Sequence, residues 1–91
     1  MENMQSLNIN KVKNLLAIIR KDYGFVEING RYICETKHNL TQLLVIGWDN
    51  NKKKYYLTFE IYKDGERLTG FSVENNCFLP IKKLLFNAII K

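Results

Sequence analysis

Thr41-Gln42-Leu43-Leu44-Val45-Ile46-Gly47-Trp48 carries four large aliphatics in succession and reads as a central strand buried on both faces. Lys54-Tyr55-Tyr56-Leu57-Thr58-Phe59-Glu60-Ile61-Tyr62 then alternates, which places Tyr55, Leu57, Phe59 and Ile61 on one face. A turn at Lys63-Asp64-Gly65 leads into Arg67-Leu68-Thr69-Gly70-Phe71-Ser72-Val73-Glu74, so three antiparallel strands follow one another between Thr41 and Asn75. The turn sets their register. A two-residue loop at Asp64-Gly65 would put Ser72 and Gly70 opposite Leu57 and Phe59 and turn Phe71 away. A three-residue loop with Gly65 left-handed pairs Leu57 with Phe71 and Tyr55 with Val73. Register follows the buried face, so the three-residue loop is expected.

Upstream, Phe25 to Ile28 and Arg31 to Glu35 flank Asn29-Gly30, a strong hairpin signal that sets Val26 opposite Ile33 and Phe25 opposite Cys34. Thr36 to Leu40 is a polar connection into the central strand. Before the hairpin, Ile9, Val12, Leu15, Leu16 and Ile19 fall on one stripe at helical spacing. Asn8 or Asn10 is the expected cap, Arg20 and Lys21 suit the C-terminal end of the dipole, and Gly24 stops the helix. Residues 1–7 read as a loose end. Downstream, Pro80 fits the first position of a second helix, whose stripe is Ile81, Leu84, Leu85, Ala88 and Ile89. The order is helix, about five strands, helix. It predicts an α+β two-layer domain, with an N-terminal and a C-terminal helix on one face of an antiparallel sheet. The expected core is Leu16, Ile19, Leu44, Val45, Ile46, Leu57, Phe59, Phe71, Leu84 and Leu85.

The 91 residues make a single domain, 1–91, and 46% hydrophobic with 12% aromatic residues argues against disorder. The net charge of +5 favours acidic or polyanionic partners and also serves solubility. Neither a leader-like start nor a membrane-length apolar run is visible, so a cytoplasmic protein with reduced, packed Cys34 and Cys77 and no membrane partner is expected.

Catalytic inventory is thin. His38 is the single histidine and has no HxH, HExxH or CxxC context, so neither a metal cage nor a cofactor is expected. A Cys–His pair of His38 with Cys34 or Cys77 is open by spacing, but the outward glutamates form no acid/base pair and no glycine-rich phosphate loop is present. The reading is of a protein that is not an enzyme.

Binding surfaces are the better candidates. Trp48, Lys52, Lys53, Lys54, Tyr55 and Tyr56 gather at one loop, where lysines could neutralise phosphates and aromatic faces could stack on bases. A solvated turn and core aromatics account for the same residues. The strand face carrying Tyr56, Thr58, Glu60 and Tyr62 offers tyrosine anchors for a protein partner. The last strand, Arg67 to Glu74, is a candidate edge through which two copies could pair.

Asn8-Ile9-Asn10 opening a helix, Lys21-Asp22-Tyr23 closing it, and Thr41-Gln42-Leu43 running to Asn50-Asn51 resemble a small phage-encoded anti-CRISPR inhibitor of the type II-A RNA-guided nuclease. The resemblance covers roughly the first 60 residues. It implies a first helix packed on a small antiparallel sheet and a phage-type inhibitor that occludes a nucleic-acid-handling host complex. Such inhibitors present acidic side chains where DNA would sit. This chain has Asp49-Asn50-Asn51-Lys52-Lys53-Lys54 at that place and a basic C-terminal helix, so neither DNA mimicry nor any functional residue carries over. Two expectations follow: a non-catalytic protein that inhibits a host factor by occlusion, or a nucleic-acid-binding domain using the Lys52–Tyr56 loop.

Overall fold

The computed structural model describes residues 4–91. Helix α1 (Met4–Tyr23) is followed by five strands, β1 (Val26–Ile28), β2 (Arg31–Glu35), β3 (Leu40–Asp49), β4 (Lys54–Lys63) and β5 (Glu66–Asn75), and by helix α2 (Phe78–Ala88). The strands form one antiparallel sheet in chain order, with β3 in the middle and β1 and β5 at the edges. α1 packs against β3, and α2 against β4 and β5. This is the α+β two-layer architecture that the alternation of β4 and the two helical stripes specify.

Two helix boundaries differ from the sequence reading. α1 begins at Met4, so 4–7 are helical and only 1–3 of the expected loose end lie outside the described residues. Asn8 is an interior helical residue with a buried side chain, not a cap. α2 begins at Phe78 with Cys77 as its N-cap, which puts Pro80 third in the helix. A proline is tolerated there because the first four helical amides have no intrahelical partner. Gly24, at φ 76°, ends α1 as expected and lets the Phe25 amide reach back to the Ile19 carbonyl at 3.2 Å.

The β4–β5 register corrects the turn argument. Asp64 and Gly65 both have positive φ, and Lys63 pairs with Glu66, so the loop has two residues. A bulge between Ile61 and Tyr62 on one side and Arg67 and Thr69 on the other then absorbs Leu68. Beyond it Leu57 pairs with Val73, Phe59 with Phe71 and Tyr55 with Asn75. Phe71 and Val73 do share a face with Leu57, but a bulge rather than a longer turn puts them there. At Asn29-Gly30 the two-residue loop holds, with Val26 opposite Ile33.

The expectation that β3 is buried on both faces fails. Gln42, Leu44 and Ile46 are buried beneath the helices, whereas Leu43 and Val45 are half-exposed on the other face. With both helices on one side, no described element covers the opposite side of the central strand. The core is Val12, Leu15, Ile19, Phe25, Tyr32, Leu44, Ile46, Tyr55, Leu57, Phe59, Ile81, Leu85 and Ile89, with Leu16 and Phe71 packed against it. Val45 lies outside this core, and Leu84 is exposed on the outer side of α2.

Candidate interaction surface: the uncovered sheet face

Rows of cross-strand neighbours build the uncovered face. Val26, Ile33, Leu43, Glu60 and Gly70 lie in register across all five strands. Beside them run Val45, Thr58 and Ser72, then Gly47, Tyr56 and Glu74. On the other flank stand Glu35, Thr41, Tyr62 and Arg67. Val26 and Ile28 extend the aliphatic part to the β1 edge, where they are 59% and 51% exposed. The result is an aliphatic centre and edge with two tyrosines and a polar rim.

Leu43, Val45, Tyr56 and Tyr62, with Arg31 and Glu60, line a depression of about 470 Å³. Two of its polar groups, Glu60 and Thr58, are held by neighbours. Arg67 Nε donates to Glu60 Oε2 at 2.8 Å, and the Thr58 and Ser72 hydroxyls are 2.9 Å apart. Gly47 lets Tyr56 lie flat: a Cβ on Gly47 would collide with the Tyr56 hydroxyl and ring. An aromatic ring laid over a cross-strand glycine is a recognised way of covering such a gap in a sheet.

Side-chain hydrogen bonds tie the loop between β3 and β4. Asp49 Oδ1 accepts from the amides of Asn51 and Lys52 at 2.9 and 3.2 Å, and Lys53 takes a left-handed conformation at φ 56°. Lys52, Lys53 and Lys54 are exposed at the hairpin tip. Lys52 Nζ lies 3.5 Å from Glu74 Oε1, and Lys53 Nζ donates to Asn50 Oδ1 at 3.0 Å. Between Val26 and Asn75 seven basic residues meet seven acidic ones, so the sheet and its turns carry no net charge.

The structure divides the loop candidates among three places. Trp48 and Tyr55 are cross-strand neighbours on the helix side, with ring centroids 4.7 Å apart. Tyr55 is 2% exposed and its hydroxyl donates to Asn8 Oδ1 at 2.8 Å, so it cannot stack on a base. Trp48 is half-buried against the core, and its indole N–H is buried without an acceptor among the described residues. Tyr56 and Tyr62 belong to the uncovered face, and the three lysines to the tip. Sequence reasoning missed Leu43, Val45 and Arg31 on that face. The strict alternation of β4 was the signal, because its register with β3 forces every second residue of the aliphatic run outward.

No family model, curated protein or solved structure matches this chain. Among the described residues no three of His, Cys, Asp and Glu gather closely enough to hold a metal ion, and no helix is long and apolar enough to cross a membrane. Cys34 is half-buried and its thiol donates to the Tyr23 carbonyl at 3.3 Å. Burial, and secondarily the charge of Glu35, push this thiol up, which lowers its thiolate fraction near neutral pH. Cys77 is exposed at the start of α2.

Proposed function

We propose that this chain is a small non-catalytic binding protein that inhibits a host factor by occlusion, with its uncovered sheet face set against a protein partner. One observation carries the reading: a five-stranded sheet has helices on one side only, and the other side presents Leu43, Val45, Tyr56 and Tyr62 around a shallow depression. Aromatic side chains in a depression rimmed by fixed polar groups are the usual anchors of protein interfaces. The resemblance to the phage-type inhibitors supplies the class of partner, a nucleic-acid-handling defence complex such as the type II-A nuclease. Purified nuclease with its guide, passed over the immobilised chain, should bind stoichiometrically, and Val45→Asp with Tyr62→Ala should abolish binding. Retention of full binding by that double variant would remove the sheet face from the proposal. Failure to recover any stoichiometric protein partner from a bacterial lysate would remove the reading itself. A homodimer through the edge strand β5 belongs to the same reading, and light scattering that shows only monomer at high concentration would exclude it.

A second reading has its own observation: Lys52, Lys53 and Lys54 are exposed in succession at the tip of the β3–β4 hairpin, next to the 38% exposed Tyr56. Such a tip could set ammonium groups near consecutive phosphates. Replacing the three lysines by glutamine should then flatten the salt dependence of oligonucleotide binding by up to about three charges. No binding at low salt would end this reading.

A further inference from the structure

The net charge of +5 has a location. α1 and α2 carry Lys11, Lys13, Arg20, Lys21, Lys82 and Lys83 against Asp22 alone, while the sheet and its turns are neutral. Both ion pairs among the described residues, Lys52–Glu74 and Arg67–Glu60, lie on the sheet. The helix layer is therefore the electropositive side of the molecule, and its positive charges are not neutralised by ion pairs among the described residues.

That layer also has a groove. Lys11, Asn14, Leu15 and Ile18 of α1 face Phe78 and Lys82 of α2 across a cleft of about 200 Å³. Its floor is apolar, and a lysine stands on each wall. Leu7, Lys11, Asn14 and Ile18 follow one another at spacings of four, three and four, so they form one stripe along α1. Leu7 is 44% exposed, Ile18 38% and Leu79, beside Phe78, 57%. α2 contributes its N-terminal half to the cleft and has no acidic residue in its first turn, so the positive end of its dipole adds to the field.

We infer that this groove is a second docking site, distinct from the sheet face, and that it takes an amphipathic helix of a partner protein whose apolar stripe is flanked by acidic residues. Charge complementarity selects an acidic occupant, because Lys11 and Lys82 face each other across the cleft with no carboxylate of the described residues lining it. The apolar surface of the cleft selects against a phosphate backbone, which would cover the exposed Ile18 without contacting it favourably. The exposed large side chains here are leucine and isoleucine, and the aromatic on the cleft wall, Phe78, is half-buried with its ring centroid 5.1 Å from that of Tyr55, so it offers no open face on which bases stack. A membrane surface would meet the rims of the cleft and leave its floor empty. A helix instead inserts side chains at i, i+4 and i+7 between two other helices.

The test is a titration of the full chain, followed by fluorescence anisotropy, against a labelled amphipathic peptide of about four helical turns with leucine at i, i+4 and i+7 and glutamate elsewhere. A scrambled peptide of identical composition, a duplex oligonucleotide and phosphatidylserine-containing vesicles serve as competitors. Two charge-reversal variants separate place from charge: Lys11→Glu with Lys82→Glu lies inside the groove, and Lys13→Glu with Lys83→Glu changes the same two helices by the same charge outside it. The amphipathic peptide is expected to bind more tightly than the scrambled one, and the groove variant to weaken it by about tenfold while the outer variant changes it far less. Circular dichroism melts establish that both variants fold. Equal binding of the two peptides, equal loss in the two variants, tighter binding of DNA or vesicles, or no binding of the amphipathic peptide would each overturn the inference. None of these results depends on the sheet face, so the two surfaces stand or fall separately.

Discussion

The hydroxyl of Tyr55 donates to Asn8 Oδ1 at 2.8 Å and joins α1 to β4 where both side chains are buried. Forty-seven positions separate the two residues. An asparagine amide in an otherwise apolar helical face costs stability unless it is paired, so each group is needed by the other. Asn8→Ala strands the tyrosine hydroxyl and should cost about 1–3 kcal/mol in urea denaturation. Combining Asn8→Leu with Tyr55→Phe removes both polar groups and should recover much of that loss. A double variant as unstable as Asn8→Ala would show that the pair contributes shape rather than hydrogen bonding.

Gln42 plays a similar part at the other end of the sheet. Fully buried on β3, it donates through Nε2 to the Ile90 carbonyl at 3.0 Å and accepts from the Ile90 amide at 2.6 Å. The side-chain amide thus holds the segment after α2 against the central strand. Gln42→Leu keeps the bulk and loses both bonds. Hydrogen exchange at the Ile90 amide should accelerate strongly, and stability should fall by about 1–3 kcal/mol. Unchanged protection at Ile90 would mean that the segment is held by Ile89 packing alone.

The architecture was legible because its signals were periodic. The alternation of β4 and the spacings of Val12, Leu15 and Ile19 and of Ile81 and Leu85 each have one physical solution. Asn29-Gly30 likewise fixes a hairpin. What failed was local. Leu43 to Ile46 reads as doubly buried by composition, and only the absence of a second helical layer leaves Leu43 and Val45 outside. The bulge at Leu68 leaves no mark in the sequence, because the turn and the buried face each specify a register and the conflict is settled by ejecting one residue. Trp48 and Tyr55 adjoin the lysine loop in sequence, yet strand alternation sends Tyr55 inward and Tyr56 outward. The concentration of net charge on the helices needed only the element boundaries to be seen.

Phe59, 2% exposed, stacks on Phe71 with ring centroids 6.0 Å apart and lies between β3 and β5 under the helices. Phe59→Ala should cost about 3–5 kcal/mol, a large share of the stability of a domain this size. The check is the shift in the urea midpoint. A midpoint within error of the parent would contradict the face assignment of β4.

Alkaline pH should destabilise the fold. Tyr55 is pushed above the ordinary tyrosine value by burial, with a smaller contribution from Cys77. Tyr32 is pushed the same way by burial, then by its hydrogen bond to Glu27 and that carboxylate's charge, against a smaller opposing effect of Arg20. A folded value above the unfolded one means that the folded state holds the proton more tightly. The associated stability is complete below about pH 10 and is lost as pH rises through the folded values. Denaturation series from about pH 8 to 11 should show this decline, and Tyr32→Phe should make it shallower. An equal slope in that variant would place the loss elsewhere.

Gly47 and Tyr56 allow a separation of stability from binding. They are cross-strand neighbours on the uncovered face, and the ring occupies the space that a side chain at position 47 would need. The obstructing atoms are the far end of an exposed side chain, which can swing away at little cost. Valine also suits an interior strand position better than glycine does. Gly47→Val should therefore leave stability within about 1 kcal/mol of the parent while displacing Tyr56 from the sheet. If the sheet face is the contact surface, partner affinity should fall by more than about 1 kcal/mol, comparable to the loss in Tyr56→Ala. Peptide binding at the helix groove should be unaffected. Normal partner affinity in a Gly47→Val protein whose Tyr56 has moved, as judged by nuclear Overhauser contacts between that ring and Thr58, would remove Tyr56 from the interface.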